Sequence, residues 1–180
     1  MPRTPSAPRP DPRVAVLGDP LPCLRELRAH PEAESFADVA EVCGGHSGAV
    51  VGVDATAART RAELRVQLRL LGDLGEELCR RLPRLEHLIV LVHRIALDAE
   101  EARRECDTAA RRIHTRLEQA GGRSVIVTAV LTDGCDDYAR LADRVLARSR
   151  QAESLDAGVA LMWREIAHTP IGMVAANDYL

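Results

Sequence analysis

Apolar residues recur along this chain with two different periods, and the two alternate. Short, nearly continuous apolar runs stand at Arg13–Leu17, Ala49–Val53, His87–Val92 and Ser124–Leu131, the first three ending at Gly18, Asp54 and His93. Runs of this length, rich in Val, Ile and Leu on both parities, are the pattern of strands covered on both faces. Between them the spacing lengthens to three and four. Leu64, Leu68, Leu71, Leu74, Leu78 and Leu82 form one stripe, which predicts a helix over about 58–82 that ends before Pro83.

A second long helix is predicted from Asp98, with Glu101 completing a capping box, to Ala120. Its buried line is Ala102, Cys106, Ala109, Ile113 and Leu117, and Gly121-Gly122 stops it. Asp133 with Asp136 or Asp137 begins a further helix running through Leu146. Nearer the N-terminus, two shorter helical pieces are expected at Leu21–Ala29 and Glu34–Cys43, separated by Pro31. Val159–Trp163 reads equally well as a fifth strand or as part of a helix with Leu155, Val159, Met162 and Ile166. The tail from Pro170 to Leu180 shows no clear period.

Strands alternating with long helices predict an α/β fold. The expectation is a single domain over 13–180, with a mostly parallel sheet of four or five strands and right-handed crossovers that place helices on both faces. No internal repeat or linker divides the chain. Residues 1–12 are rich in Pro and Arg, lack the apolar stretch of a secretory signal, and are expected to be a disordered leader.

Composition narrows the chemistry. Hydrophobic residues make up 46% of the chain but aromatics only 2%, namely Phe36, Tyr138, Trp163 and Tyr179, so the core must be aliphatic. All 24 basic residues are arginine. Without an ε-amine the chain cannot supply a P-loop lysine, a Schiff base, a Ser-x-x-Lys pair or a kinase lysine. A net charge of −3 gives no general attraction to nucleic acid or to anionic membranes. No apolar run is long enough to cross a bilayer, and the five cysteines are widely spaced with no zinc-like pairing, so reduced thiols in the cytoplasm are expected.

In an open parallel sheet, ligands sit beyond the carboxyl ends of the strands. The residues that follow the predicted strands are Asp19, then Asp54 and Thr56, then His93 and Arg94, then Thr132, Asp133, Cys135 and Asp136. On this reading His93 is the candidate acid/base and Arg94 holds an anionic group, while Asp54 and Asp133 orient the histidine or a metal. Asp133, Asp136 and Asp137 form an oxygen-rich segment suited to a divalent cation such as Mg²⁺. Cys135, expected in the first turn of a helix, would have its thiolate favoured by the dipole and opposed by the adjacent aspartates. The competing account of these acids is helix capping.

Gly45-His46-Ser47-Gly48-Ala49 resembles a nucleophile elbow in outline but lacks the final glycine and precedes a strand instead of following one. No Gly-x-Gly-x-x-Gly follows the first strand. Arg61, Arg65 and Arg69, and again Arg140, Arg144 and Arg148, lie at four-residue spacing on predicted helix faces, suited to an acidic partner or RNA phosphates and otherwise to a solvated face. Two functions follow as expectations. The first is a small-molecule enzyme or ligand-binding domain using the strand-end rim. The second is a non-catalytic scaffold or accessory subunit that binds another protein, or a second copy of itself, through its Leu/Ala-rich helices.

Overall fold

The computed structural model describes residues 13–93, 96–151 and 158–177. Six strands make one sheet: β1 (Val14–Gly18), β2 (Ala33–Ser35), β3 (Gly48–Asp54), β4 (His87–His93), β5 (Ile126–Leu131) and β6 (Gly158–Met162). Their order is β2-β1-β3-β4-β5-β6 and every neighbouring pair is parallel. Helices are α1 (Arg25–Ala29), α2 (Arg61–Arg81), α3 (Ala99–Gly121), α4 (Tyr138–Ser149), α5 (Trp163–Ile166) and α6 (Ile171–Asn177). None is long and apolar enough to cross a membrane.

The α/β class, the parallel sheet and the helices on both faces are as the alternating periods predict. Alternation along each strand sorts the core into two layers. Leu88, Val90 and Val92 of β4 meet α2 and α3, while Ile89 and Leu91 meet α1 and α4. The Leu stripe of α2 is core, with Leu64, Leu68, Leu78 and Leu82 at 3% exposure or less. Full burial of one such side chain contributes roughly 2 kcal/mol. Thr60 and Glu63 form a capping box at the start of α2, and Asp98 accepts from the Glu100 and Glu101 amides at the start of α3.

Several elements differ from expectation, each for a tertiary reason. The segment foreseen as a helix over Glu34–Cys43 is instead the edge strand β2 followed by a 3-10 turn at Val39–Glu41. Its backbone groups pair with β1, a partner that local periodicity cannot register. The helix expected from Asp133 begins at Tyr138, capped by Asp137. Of the run Val159–Trp163, Val159–Met162 is strand β6 and Trp163 opens α5; Gly158, the first residue of β6, packs directly on α3, where a Cβ would stand 2.7 Å from the Ala110 carbonyl carbon. On α3 the buried alanines are Ala102 and Ala110, with Ala109 only partly covered. The tail forms α6, with Ile171 and Ala175 in the α1/α4 layer.

The crossovers do not share one hand. From β3 to β4 and from β4 to β5 the chain steps the same way across the sheet with its helix on the α2/α3 face. From β1 to β2 it steps the other way with α1 on the opposite face, which is the same hand. From β5 to β6 it steps as β4 to β5 does, yet α4 lies on the α1/α4 face. That crossover therefore has the opposite hand, against the uniform rule. On the α2/α3 face β6 is covered by α3, whose backbone lies against Gly158.

Candidate functional site

Strand order reverses between β1 and β3, which makes their carboxyl ends the usual ligand crevice of such a sheet. Here the chain closes it. Gly18, at φ +90°, turns β1 down across Gly52, so that the Asp19 amide donates to the Gly52 carbonyl at 3.1 Å. Leu21 and Leu24 then sit on Gly52, where a Cβ would stand 2.6 Å from Leu24 Cδ1. Asp19 Oδ2 accepts from the Asp54 amide at 2.8 Å, and Asp54 Oδ1 accepts from the Thr56 amide at 2.9 Å and from its hydroxyl. Asp19, Asp54 and Thr56 are thus brought together in a network that locks two turns.

His93 pairs in register with Asp54, and it shares parity with Ile89 and Leu91, so its ring faces the α1/α4 layer. It is 9% exposed, with Nδ1 3.0 Å from Thr132 Oγ1. The Thr132 hydroxyl also lies 3.2 Å from the Val92 carbonyl, to which it donates, so the ring and the threonine are tied to the end of β4. Cys23 reaches the same threonine, and burial pushes its thiol up to about 11. Cys135 lies beside this cluster in the turn before α4, not in the first turn of the helix as expected. Burial raises its thiol too, with the Asp137 amide opposing and the charges of Asp136 and Asp137 reinforcing. A buried thiol of this kind is a poor thiolate source. Arg94 lies outside the described residues.

The carboxyl ends of β5 and β6 are open by contrast. A cavity of about 330 Å³ lies there on the α2/α3 side, with Leu131 and Met162 as floor and Ala102 and Leu97 as wall. Ala99, the first residue of α3, stands at the mouth with Asp133, Gly134 and Arg164, and Trp163 closes the far side. The Trp163 indole N–H donates to Asp136 Oδ1 at 3.1 Å, which fixes the ring. Arg164 pairs with Glu100 at 2.8 Å and ties α5 to the first turn of α3. This arrangement offers an apolar slot with one carboxylate and one guanidinium at its entrance. It can bury a small apolar body and leave a neutral hydrogen-bonding head group at the mouth.

The rim residues therefore divide. Asp133 lines the cavity; Asp19, Asp54 and Thr56 lock the closed end; His93 and Cys135 belong to the other face of the sheet. Asp136 holds Trp163, and Asp137 caps α4 by accepting from the Arg140 amide at 2.9 Å. Among the described residues, no three His, Cys, Asp or Glu side chains converge as a metal site. Sequence reasoning missed Ala99, Ala102, Met162, Trp163 and Arg164. The available signal was the chain's one tryptophan directly after an apolar run. The Gly45-His46-Ser47 turn lies at the opposite, amino edge of the sheet, where Ser47 and Gly48 donate to the Arg13 carbonyl and buried His46 meets Glu34 at 3.1 Å. Comparison with protein-family models, with curated proteins and with solved structures finds no match.

Proposed function

We propose that this protein binds a small, largely apolar molecule in the cavity at the carboxyl ends of β5 and β6. The observation that carries the reading is the pairing of an apolar floor, Leu131 and Met162, with polar groups confined to the mouth, Asp133 and Arg164. A volume of about 330 Å³ suits a ligand of one or two rings, at the small end of the usual range. The reading is one of binding. The nearest rim imidazole, His93, faces the other side of the sheet and is engaged with Thr132.

The test is a thermal-shift screen of small aromatic and aliphatic alcohols, amides and amines against the full chain. Binding raises the melting temperature with ligand concentration, by about 2.7 kcal/mol of stabilisation at a hundredfold excess over Kd. Ala99→Phe fills the mouth from an exposed position, so it should abolish the shift while leaving the unliganded melting temperature within about 2 °C. A ligand whose shift survives Ala99→Phe binds elsewhere and overturns the assignment.

A further inference from the structure

A second concavity lies between α2 and α3, midway along both helices, with a volume of about 410 Å³. Its floor is apolar: Leu68, Gly72, Ala109 and Ile113. Four arginines border it, Arg65 and Arg69 from α2 and Arg112 and Arg116 from α3. Two of these are engaged within the protein. Glu105, only 6% exposed, accepts from Arg65 Nε and Nη2 at 3.0 and 2.8 Å and from Arg61 Nε at 3.0 Å. Arg116 is held by Asp73 and Glu76 of α2.

Arg69 and Arg112 have no ion-pair or hydrogen-bond partner for their side chains among the described residues. They stand at the same level on opposite banks, because their offset of 43 residues equals that of the bonded pair Asp73 and Arg116. The groove thus carries two uncompensated positive charges on a chain of net charge −3. Beside Arg69, on the outer surface of α2, Val66 and Leu70 are 58% and 66% exposed and one turn apart. They are two of the three large apolar side chains left exposed among the described residues.

We propose that the α2–α3 groove docks an acidic amphipathic helix of a partner protein. Carboxylates on that helix reach Arg69 and Arg112 from the two banks, and its apolar residues cover the groove floor. This is the helix-in-groove mode, with charge selecting the partner and the apolar contact holding it. A second copy of this chain, docked groove to groove, brings guanidinium against guanidinium and is disfavoured. Nucleic acid is disfavoured as well, since no aromatic ring lines the groove to stack a base and its floor is aliphatic.

The experiment uses the full chain and a fluorescein-labelled helical peptide of roughly 15 residues. The peptide carries Leu at i, i+3, i+4 and i+7 and Glu on both flanks of that stripe; a control peptide has Gln for every Glu. By anisotropy, the Glu peptide should bind with a Kd on the order of 10 μM and the Gln peptide at least tenfold more weakly. Arg69→Glu with Arg112→Glu should weaken the Glu peptide at least tenfold without changing the melting curve, since both side chains are exposed and unpaired. Ala99→Phe should leave peptide binding intact, which separates this site from the rim cavity. Equal binding of the two peptides, or undiminished binding to the double variant, overturns the proposal. So does tighter binding of a single-stranded RNA than of the peptide, or self-association by sedimentation that Leu70→Glu abolishes.

Discussion

At the carboxyl ends of β1 and β3, Asp19 and Asp54 spend their oxygens on neighbouring backbone amides and the turn between Gly18 and Leu21 fills the crevice. At the ends of β5 and β6, Asp133 stands at the mouth of a cavity. The two ends start from the same residue type at the same place relative to a strand. What separates them is the direction in which the chain leaves. After β1 it folds directly over its neighbour strand. After β5 it departs to the α1/α4 face, and the opposite hand of that crossover leaves the α2/α3 side of β5 and β6 covered by α3 alone. An aspartate after a strand stands in a closed turn at one end of the sheet and at the mouth of a cavity at the other.

The comparison breaks most sharply at the two close glycine contacts. Gly18→Ala places a Cβ 2.2 Å from the Gly52 carbonyl oxygen in a backbone at φ +90°, and should cost roughly 3 kcal/mol or more by urea denaturation. Ligand affinity at the β5/β6 cavity should stay within twofold once the protein is folded. Gly158→Ala should cost roughly 2 kcal/mol, because its Cβ meets the α3 backbone at 2.7 Å, and here the ligand should be lost as α3 is pushed from the sheet. If Gly18→Ala weakens the ligand as much as Gly158→Ala does, the two ends are not independent.

Titration sharpens the contrast next. The Cys23 thiol at the closed end and the Cys106 thiol of α3 are pushed by burial to about 11 and about 12, from an ordinary value of 9.0. A neutral form favoured by the fold contributes stability that is complete below about pH 9. It is lost as pH rises through 11 to 12, where the unfolded chain has already released these protons. The urea midpoint should therefore fall over that interval, and Cys23→Ala should flatten part of the fall. In the native protein at pH 8, iodoacetamide should modify exposed Cys43 first, half-buried Cys135 next and buried Cys23 after both. Modification of Cys23 ahead of Cys135 would show that the closed end opens.

The smallest effects form a pair. Asp19→Ala removes the bond to the Asp54 amide and should cost about 1 kcal/mol with no change in ligand affinity. Asp133→Ala, at the cavity mouth, should lower ligand affinity severalfold. Matching profiles for the two variants would erase the distinction between lock and wall.

Much of the frame was legible without coordinates. The runs at 13–17, 49–53, 87–92 and 124–131 are strands, and the Leu stripe of 64–82 is the buried face of α2. Asp98 caps α3 and Gly122 ends it in the left-handed region. The rim was legible too, in that Asp19, Asp54, His93, Thr132 and Asp133 do lie along the carboxyl edge. Its division was not. Parity along β4 sends His93 to one face, while Asp133 lines a cavity on the other, and no local pattern relates two strands' parities before they are paired.

Sequence alone determined the elements that depend on neighbours within one turn or one strand: amphipathic stripes, caps, β-branched runs, and the chemistry an all-arginine chain cannot perform. Tertiary structure decided the short strand β2, the choice of strand for 158–162, the opposite hand of the last crossover and the place of the cavity. The reason is physical. These features are settled by backbone contacts between residues far apart in the chain, Gly18 on Gly52 and Gly158 on Ala110, whose energies no window of sequence contains.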